Sequence, residues 1–97
     1  MTKAYWIAHI TVNDPAAYDL YRAAIAAPFA KYGAKVIIRA GAQTVVEGQM
    51  RPRTVVIEFA NLQAATDCYN SPGYQAAKVL REAASVGDIC IIEGWQG

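Results

Sequence analysis

Strand-like segments of this chain are apolar on both of their alternating faces, and that limits the folds open to it. In Ala4–Val12, Trp6, Ile10 and Val12 fall on one side while Tyr5, Ile7 and His9 fall on the other. Arg53–Phe59 is rich in valine and again apolar on both sides. An antiparallel sheet with one wet face alternates apolar with polar residues, so these strands need cover on both faces.

Helical patterns lie between the strands. Asp14-Pro15 is a helix start, because the carboxylate accepts from first-turn amides and proline occupies a position whose amide has no partner. Tyr18, Tyr21, Ile25 and Phe29 then form one apolar stripe, Pro28 should kink or end the helix, and Gly33 is the stop. Lys35 to Ala40 reads as the second strand, with a short ribbon over Thr44 to Glu47. Asn61 caps a short helix containing Leu62, Ala65, Cys68 and Tyr69, and Ser71-Pro72 restarts it. Tyr74, Ala77, Leu80 and Ala84 give the second piece its apolar face, and Gly87-Asp88 ends it before a last strand over Ile89 to Trp95.

Strand, helix, strand, strand, helix, strand is the ferredoxin-like βαββαβ order, an α+β fold with an antiparallel sheet and helices on one face. Residues 1–97 fit a single domain of this kind. Because helices cover only one face, the other is expected to close against a two-fold related copy, giving a homodimeric α/β barrel. Composition points the same way: 55% hydrophobic and 18% charged residues are a large apolar share for so small an interior.

A net charge of +1, from nine basic and eight acidic residues scattered along the chain, provides no footprint for nucleic acid or an anionic membrane. Cys68 and Cys90 sit in apolar contexts without metal-type spacing, and the start of the chain lacks the features of a secretory signal. A cytoplasmic protein is the expectation. One histidine and two separated cysteines do not build an ordinary zinc site, and no glycine-rich phosphate loop follows a strand. Val55-Val56-Ile57 does not provide the stacked aromatics of an RNA-recognition sheet. Neither a metal nor another cofactor is expected.

The chain resembles the small bacterial domains of unknown function thirteen-thirty, within the dimeric α/β-barrel superfamily. The resemblance rests on Tyr5-Trp6, Asp14-Pro15 with Tyr18, Glu47-Gly48, Glu58-Phe59, Tyr69, Ser71-Pro72 with Tyr74-Gln75, Arg81 and Glu93-Gly94. It spans nearly the whole chain, and the Ser-Pro-x-Tyr-Gln element is its most specific part. It implies a ferredoxin-like homodimer but no settled activity. Relatives in the superfamily include cofactor-free monooxygenases, haem-degrading enzymes and lactone isomerases.

Polar residues within strands are the informative exceptions, since a buried charge is costly unless paired. His9 and Glu58 are the candidate acid and base of a cofactor-free proton transfer or oxygenation. The simpler readings are a structural histidine and a Glu58 ion pair with Arg39, Arg53 or Arg81. Tyr18, Tyr21, Tyr69 and Tyr74 are candidate walls of an apolar slot, with Arg39, Arg53 and Arg81 as anion holders. Ser71 reads first as an N-cap and second as an anion contact at a helix start. The expected ligand is a small molecule, partly apolar or carboxylated. The competing reading is a non-catalytic binding or stress-related module whose polar groups only stabilise the sheet.

Overall fold

Along β1 (Ala4–Val12), Ala4, Trp6, Ala8 and Ile10 are buried, whereas Tyr5, Ile7, His9 and Thr11 are half-buried. This alternation divides a sheet whose one face is roofed by helices and whose other face is bare. The computed structural model describes residues 2–96. After β1 come α1 (Pro15–Ala24), α2 (Ala26–Tyr32), β2 (Lys35–Arg39), β3 (Arg53–Phe59), α3 (Leu62–Asn70), α4 (Pro72–Ala84) and β4 (Ser85–Glu93). All strand pairs are antiparallel, in the order β2-β3-β1-β4, which is the ferredoxin-like arrangement.

Local signals account for most boundaries. The Asp14 carboxylate accepts from the Ala17 amide at 3.1 Å, and Asn61 accepts from Ala64 at 2.8 Å. Pro28 acts four residues upstream of itself. It has no amide for the Ala24 carbonyl, so the expected single helix is divided at Ile25 into α1 and α2. Gly33 ends α2 in the left-handed region, at φ 69°.

Two expected elements are corrected. Thr44 to Glu47 forms no strand, and the link from β2 to β3 is irregular, held by side chains: Gln43 donates to the Arg51 carbonyl at 2.9 Å, and Thr54 donates to Gln43. Gly87-Asp88 does not end the last helix but lies within β4, which begins at Ser85. The helix stops earlier because the Ala84 carbonyl is taken by the amides of Asn13 and Asp14, at 2.8 and 3.1 Å. Gly87 serves close packing instead. A Cβ there would lie 2.4 Å from the Ile10 Cδ1 and 2.9 Å from the His9 carbonyl oxygen.

Helices and sheet are pinned together by aromatic rings around Trp6. Its ring centroid lies 4.8 Å from Tyr74, 5.2 Å from Phe59, 5.5 Å from Phe29 and 5.8 Å from Tyr69, mostly edge to face. The indole Nε1 donates to the Ala65 carbonyl of α3 at 2.9 Å, so this buried donor is satisfied. On the next ring outward, the hydroxyls of Tyr21 and Tyr74 share a buried 3.0 Å hydrogen bond.

Burial is the main reason that both hydroxyls titrate above the ordinary tyrosine value of 10. Their proximity adds to the effect at Tyr21, and the Arg81 guanidinium opposes it at both. Burial likewise pushes the Cys68 thiol up from 9.0 to about 11. A raised folded-state value means that stability is whole below the unfolded value and is lost as pH climbs above it. Unfolding free energy should therefore decline from about pH 9, through Cys68, and more steeply above about pH 10, by up to ~1.4 kcal/mol per pH unit for each buried tyrosine. Urea unfolding of Tyr21→Phe should show a shallower alkaline decline than the parent. Equal slopes would contradict this account.

Candidate functional site

One cavity lies between the α1–α2 stripe and the sheet, with a volume of about 230 Å³. Its floor is Ala8 and Ile10 of β1, Val55 and Ile57 of β3, and Ile89 of β4, while Tyr18, Tyr21, Ile25 and Phe29 form the roof. The polar part of the lining is almost wholly basic: Arg22, Arg39, Arg53 and Arg81.

Each arginine reaches the cavity for an identifiable reason. Arg53 begins β3 on the helix-facing side, two and four residues before Val55 and Ile57. Arg39 arrives there through a register shift. Val36 pairs with Ile57 and Arg39 pairs with Val55, so the irregularity between Val36 and Ile38 reverses the alternation and turns Arg39 inward. The next residue, Ala40, is held at φ 52°, a left-handed conformation that costs a non-glycine residue about 1–2 kcal/mol. Arg81 occupies an inward position of α4, whose buried residues are Tyr74, Ala77, Arg81 and Ala84. Leu80, expected on that face, is exposed instead.

The charges at this site are not balanced from within. Arg22 pairs with Asp19 at 3.3 Å outside the lining, but among the described residues no carboxylate pairs with Arg39, Arg53 or Arg81. Arg81 is only 8% exposed, and the Nε atoms of Arg53 and Arg81 are buried without a hydrogen-bond partner. Both guanidiniums rest over tyrosine rings, Arg53 at 5.3 Å from Tyr18 and Arg81 at 6.0 Å from Tyr21. Such a contact returns at most ~2 kcal/mol when desolvated. Leaving a buried charge without its partner costs on the order of 3–5 kcal/mol. For the buried Arg81 the second term is larger, so the site is electrostatically incomplete as it stands.

The remaining expected residues lie elsewhere. His9 and Glu58 do not line this cavity, which corrects the expected acid and base pair. Both project from the bare face, and the pairing of His9 with Thr54 and of Tyr5 with Glu58 sets them four residues apart. At 3.3–3.4 Å per residue that is about 13 Å. His9 Nδ1 is bonded to the Thr54 hydroxyl at 3.2 Å, and Glu58 pairs with Lys3 at 3.0 Å rather than with an arginine. Tyr74 is wholly buried in the core, and Tyr69 packs on Trp6. Ser71 has no donor left for an anion: it donates to the Cys68 carbonyl at 2.7 Å and accepts from the Tyr74 amide at 3.2 Å. A second, shallow polar cleft on the bare face is lined by His9, Thr11, Arg51 and Asp88 among others, with Arg51 bonded to Asp88 at 3.1 Å. Among the described residues no cluster of three metal-ligating side chains occurs, and no helix is long and apolar enough to cross a membrane.

Comparison with solved structures places this architecture among known folds. A protein of unknown function from Rhodopseudomonas palustris superposes with a TM-score of 0.80 at 14% identity, over 99% of this chain and 85% of that one. SnoaB, a cofactor-independent oxygenase from Streptomyces nogalater, matches with a TM-score of 0.64 at 18% identity, over 100% and 97% of the two chains. A dimeric protein of unknown function with a ferredoxin-like fold, from Bacteroides fragilis, matches at 0.63 and 16% identity, over 95% and 96%. At these identities the likeness establishes the fold alone. No curated protein matches the sequence. The model of the Domain of unknown function (DUF1330) matches residues 3–95, and the chain belongs to that family.

Proposed function

We propose that this protein binds a small, partly apolar molecule in the cavity between helices and sheet, and does so as a homodimer. The observation that carries the reading is the lining itself: an apolar floor and roof meeting arginines whose buried Nε donors have no protein partner. Ligand sites are built this way, with apolar walls and a few placed polar groups. At about 230 Å³ the cavity falls below the roughly 300–1,000 Å³ of pockets for drug-sized ligands, which favours a compact metabolite.

Binding without catalysis is the better supported form of this reading. The likeness to a cofactor-independent oxygenase raises proton abstraction or oxygenation as the competitor. Either would need a base beside the ligand. The lining contains no histidine, carboxylate or cysteine, and its Tyr21 hydroxyl is held protonated by burial. The free thiols of Cys68 and Cys90 suit a reducing cytoplasm.

Support for the homodimer comes from the bare face. Ile38, Val86 and Ile92 are about half exposed there, beside the half-buried Tyr5, Ile7 and Val56. An apolar surface of that kind on a sheet marks an association site. The similar Bacteroides protein is itself described as dimeric.

Two measurements test these statements. An NMR titration with a set of small aromatic and aliphatic molecules should shift the amides of Ala8, Ile10, Ile25, Val55 and Ile89. Ala8→Met should abolish those shifts while costing less than the ~1–3 kcal/mol of overpacking a closed core. Shifts that persist in Ala8→Met would place the ligand elsewhere. Sedimentation at micromolar concentration should show a dimer, and Ile7→Lys a folded monomer. A parent protein that is monomeric throughout would refute the dimer.

A further inference from the structure

We infer that the molecule taken by this cavity is a monocarboxylic acid with a compact apolar body, its carboxylate held between Arg53 and Arg81. The inference rests on the helix–sheet cavity being a ligand site, and it adds the charge and shape of the ligand.

Arg53 rises from β3 in the sheet and Arg81 descends from α4 in the helical layer, so the two enter the cavity from opposite sides. Their supports are neighbours, since the rings of Tyr18 and Tyr21 have centroids 5.4 Å apart. Both guanidiniums line the cavity, and among the described residues neither has a carboxylate partner. A planar carboxylate has two oxygens to meet two such groups, and charge-assisted bonds of this kind are the stronger ones.

Other ligands satisfy the geometry less well. A neutral amide or alcohol leaves the buried Arg81 and the half-buried Arg53 unneutralised. A phosphate brings a third strong acceptor oxygen, for which the rest of the lining offers tyrosine hydroxyls and the exposed Arg22 and Arg39 beside the aliphatic walls Ala8, Ile10, Ile25, Val55 and Ile89. Arg39 is exposed and stands at the rim, where it attracts anions without being desolvated. The fit of a single carboxylate also explains why a small domain keeps a buried arginine where a leucine would be cheaper to fold.

Calorimetric titration with benzoate and hexanoate, each against its primary amide, and with inorganic phosphate tests the proposal. At least one acid should bind at least about tenfold more tightly than its amide, a gap of about 1.4 kcal/mol. Arg53→Gln and Arg81→Gln should each weaken that acid by a similar factor, and phosphate should bind more weakly than the acid. Because a variant at Arg81 can alter folding, Arg81→Met is measured without ligand. Removal of an unpaired buried charge should raise Tm by several degrees, whereas a structural arginine would give a fall. Acid and amide of equal affinity would overturn the carboxylate assignment while leaving the cavity as a site. Phosphate matching the acids would also overturn it, as would a fall in Tm for Arg81→Met with acid binding intact. No binding by any probe would remove the cavity reading itself.

Discussion

The packing of Trp6 sets the spacing on which the rest of the molecule depends. Four aromatic rings meet its indole, and its Nε1 donor ties β1 to α3. The helical layer therefore stands off the sheet by the thickness of an indole at that point. Two residues along the same face of β1, the side chain shrinks to the methyl of Ala8, and opposite Ile10 the neighbouring strand presents Gly87, over which the Ile10 side chain lies. A layer held apart by tryptophan does not collapse onto alanine, and the cavity occupies the difference.

Arginine fills the edges of that gap where an aliphatic residue would have closed it. Arg81 sits at an inward helical position and Arg39 is turned inward by an irregular strand followed by a left-handed alanine. Both features cost folding free energy, through an unpaired buried charge in one case and backbone conformation in the other. Local strain and unbalanced charge converge on a single cavity, as expected where a site is prepared for a ligand rather than for maximal stability. The bare sheet face shows the opposite arrangement. There Glu58 is paired with Lys3 and Asp88 with Arg51.

Much of the architecture was legible in the residues because it is governed by local chemistry. Asp14-Pro15, Asn61 and Ser71-Pro72 mark helix starts through side-chain caps that act within three residues, and the Tyr18, Tyr21, Ile25, Phe29 stripe follows helical spacing. Site residues were legible only in part. Arg81 lies seven residues after Tyr74, on the same face, and its charge made it a candidate anion holder. Arg39 was chosen for its charge within a strand, yet its direction depends on a register shift that alternation does not reveal. His9 and Glu58 share the side of Tyr5 and Ile7, but which side the helices cover is decided by tertiary packing around Trp6. Gly87 looked like a helix stop because glycine is common there, whereas its role is to admit Ile10.

Arg53 and Arg81 keeping their guanidiniums without a carboxylate partner, for an anion from outside, is the central claim, and arginine side-chain NMR on isotopically labelled protein reads it directly. Two exchange-protected Nε–H signals should be present in the free protein, one lost in Arg53→Lys and the other in Arg81→Lys. Both should move together on titration with hexanoate or benzoate. Signals that stay in place while a carboxylate binds would contradict the account, because the acid would then be held by other groups.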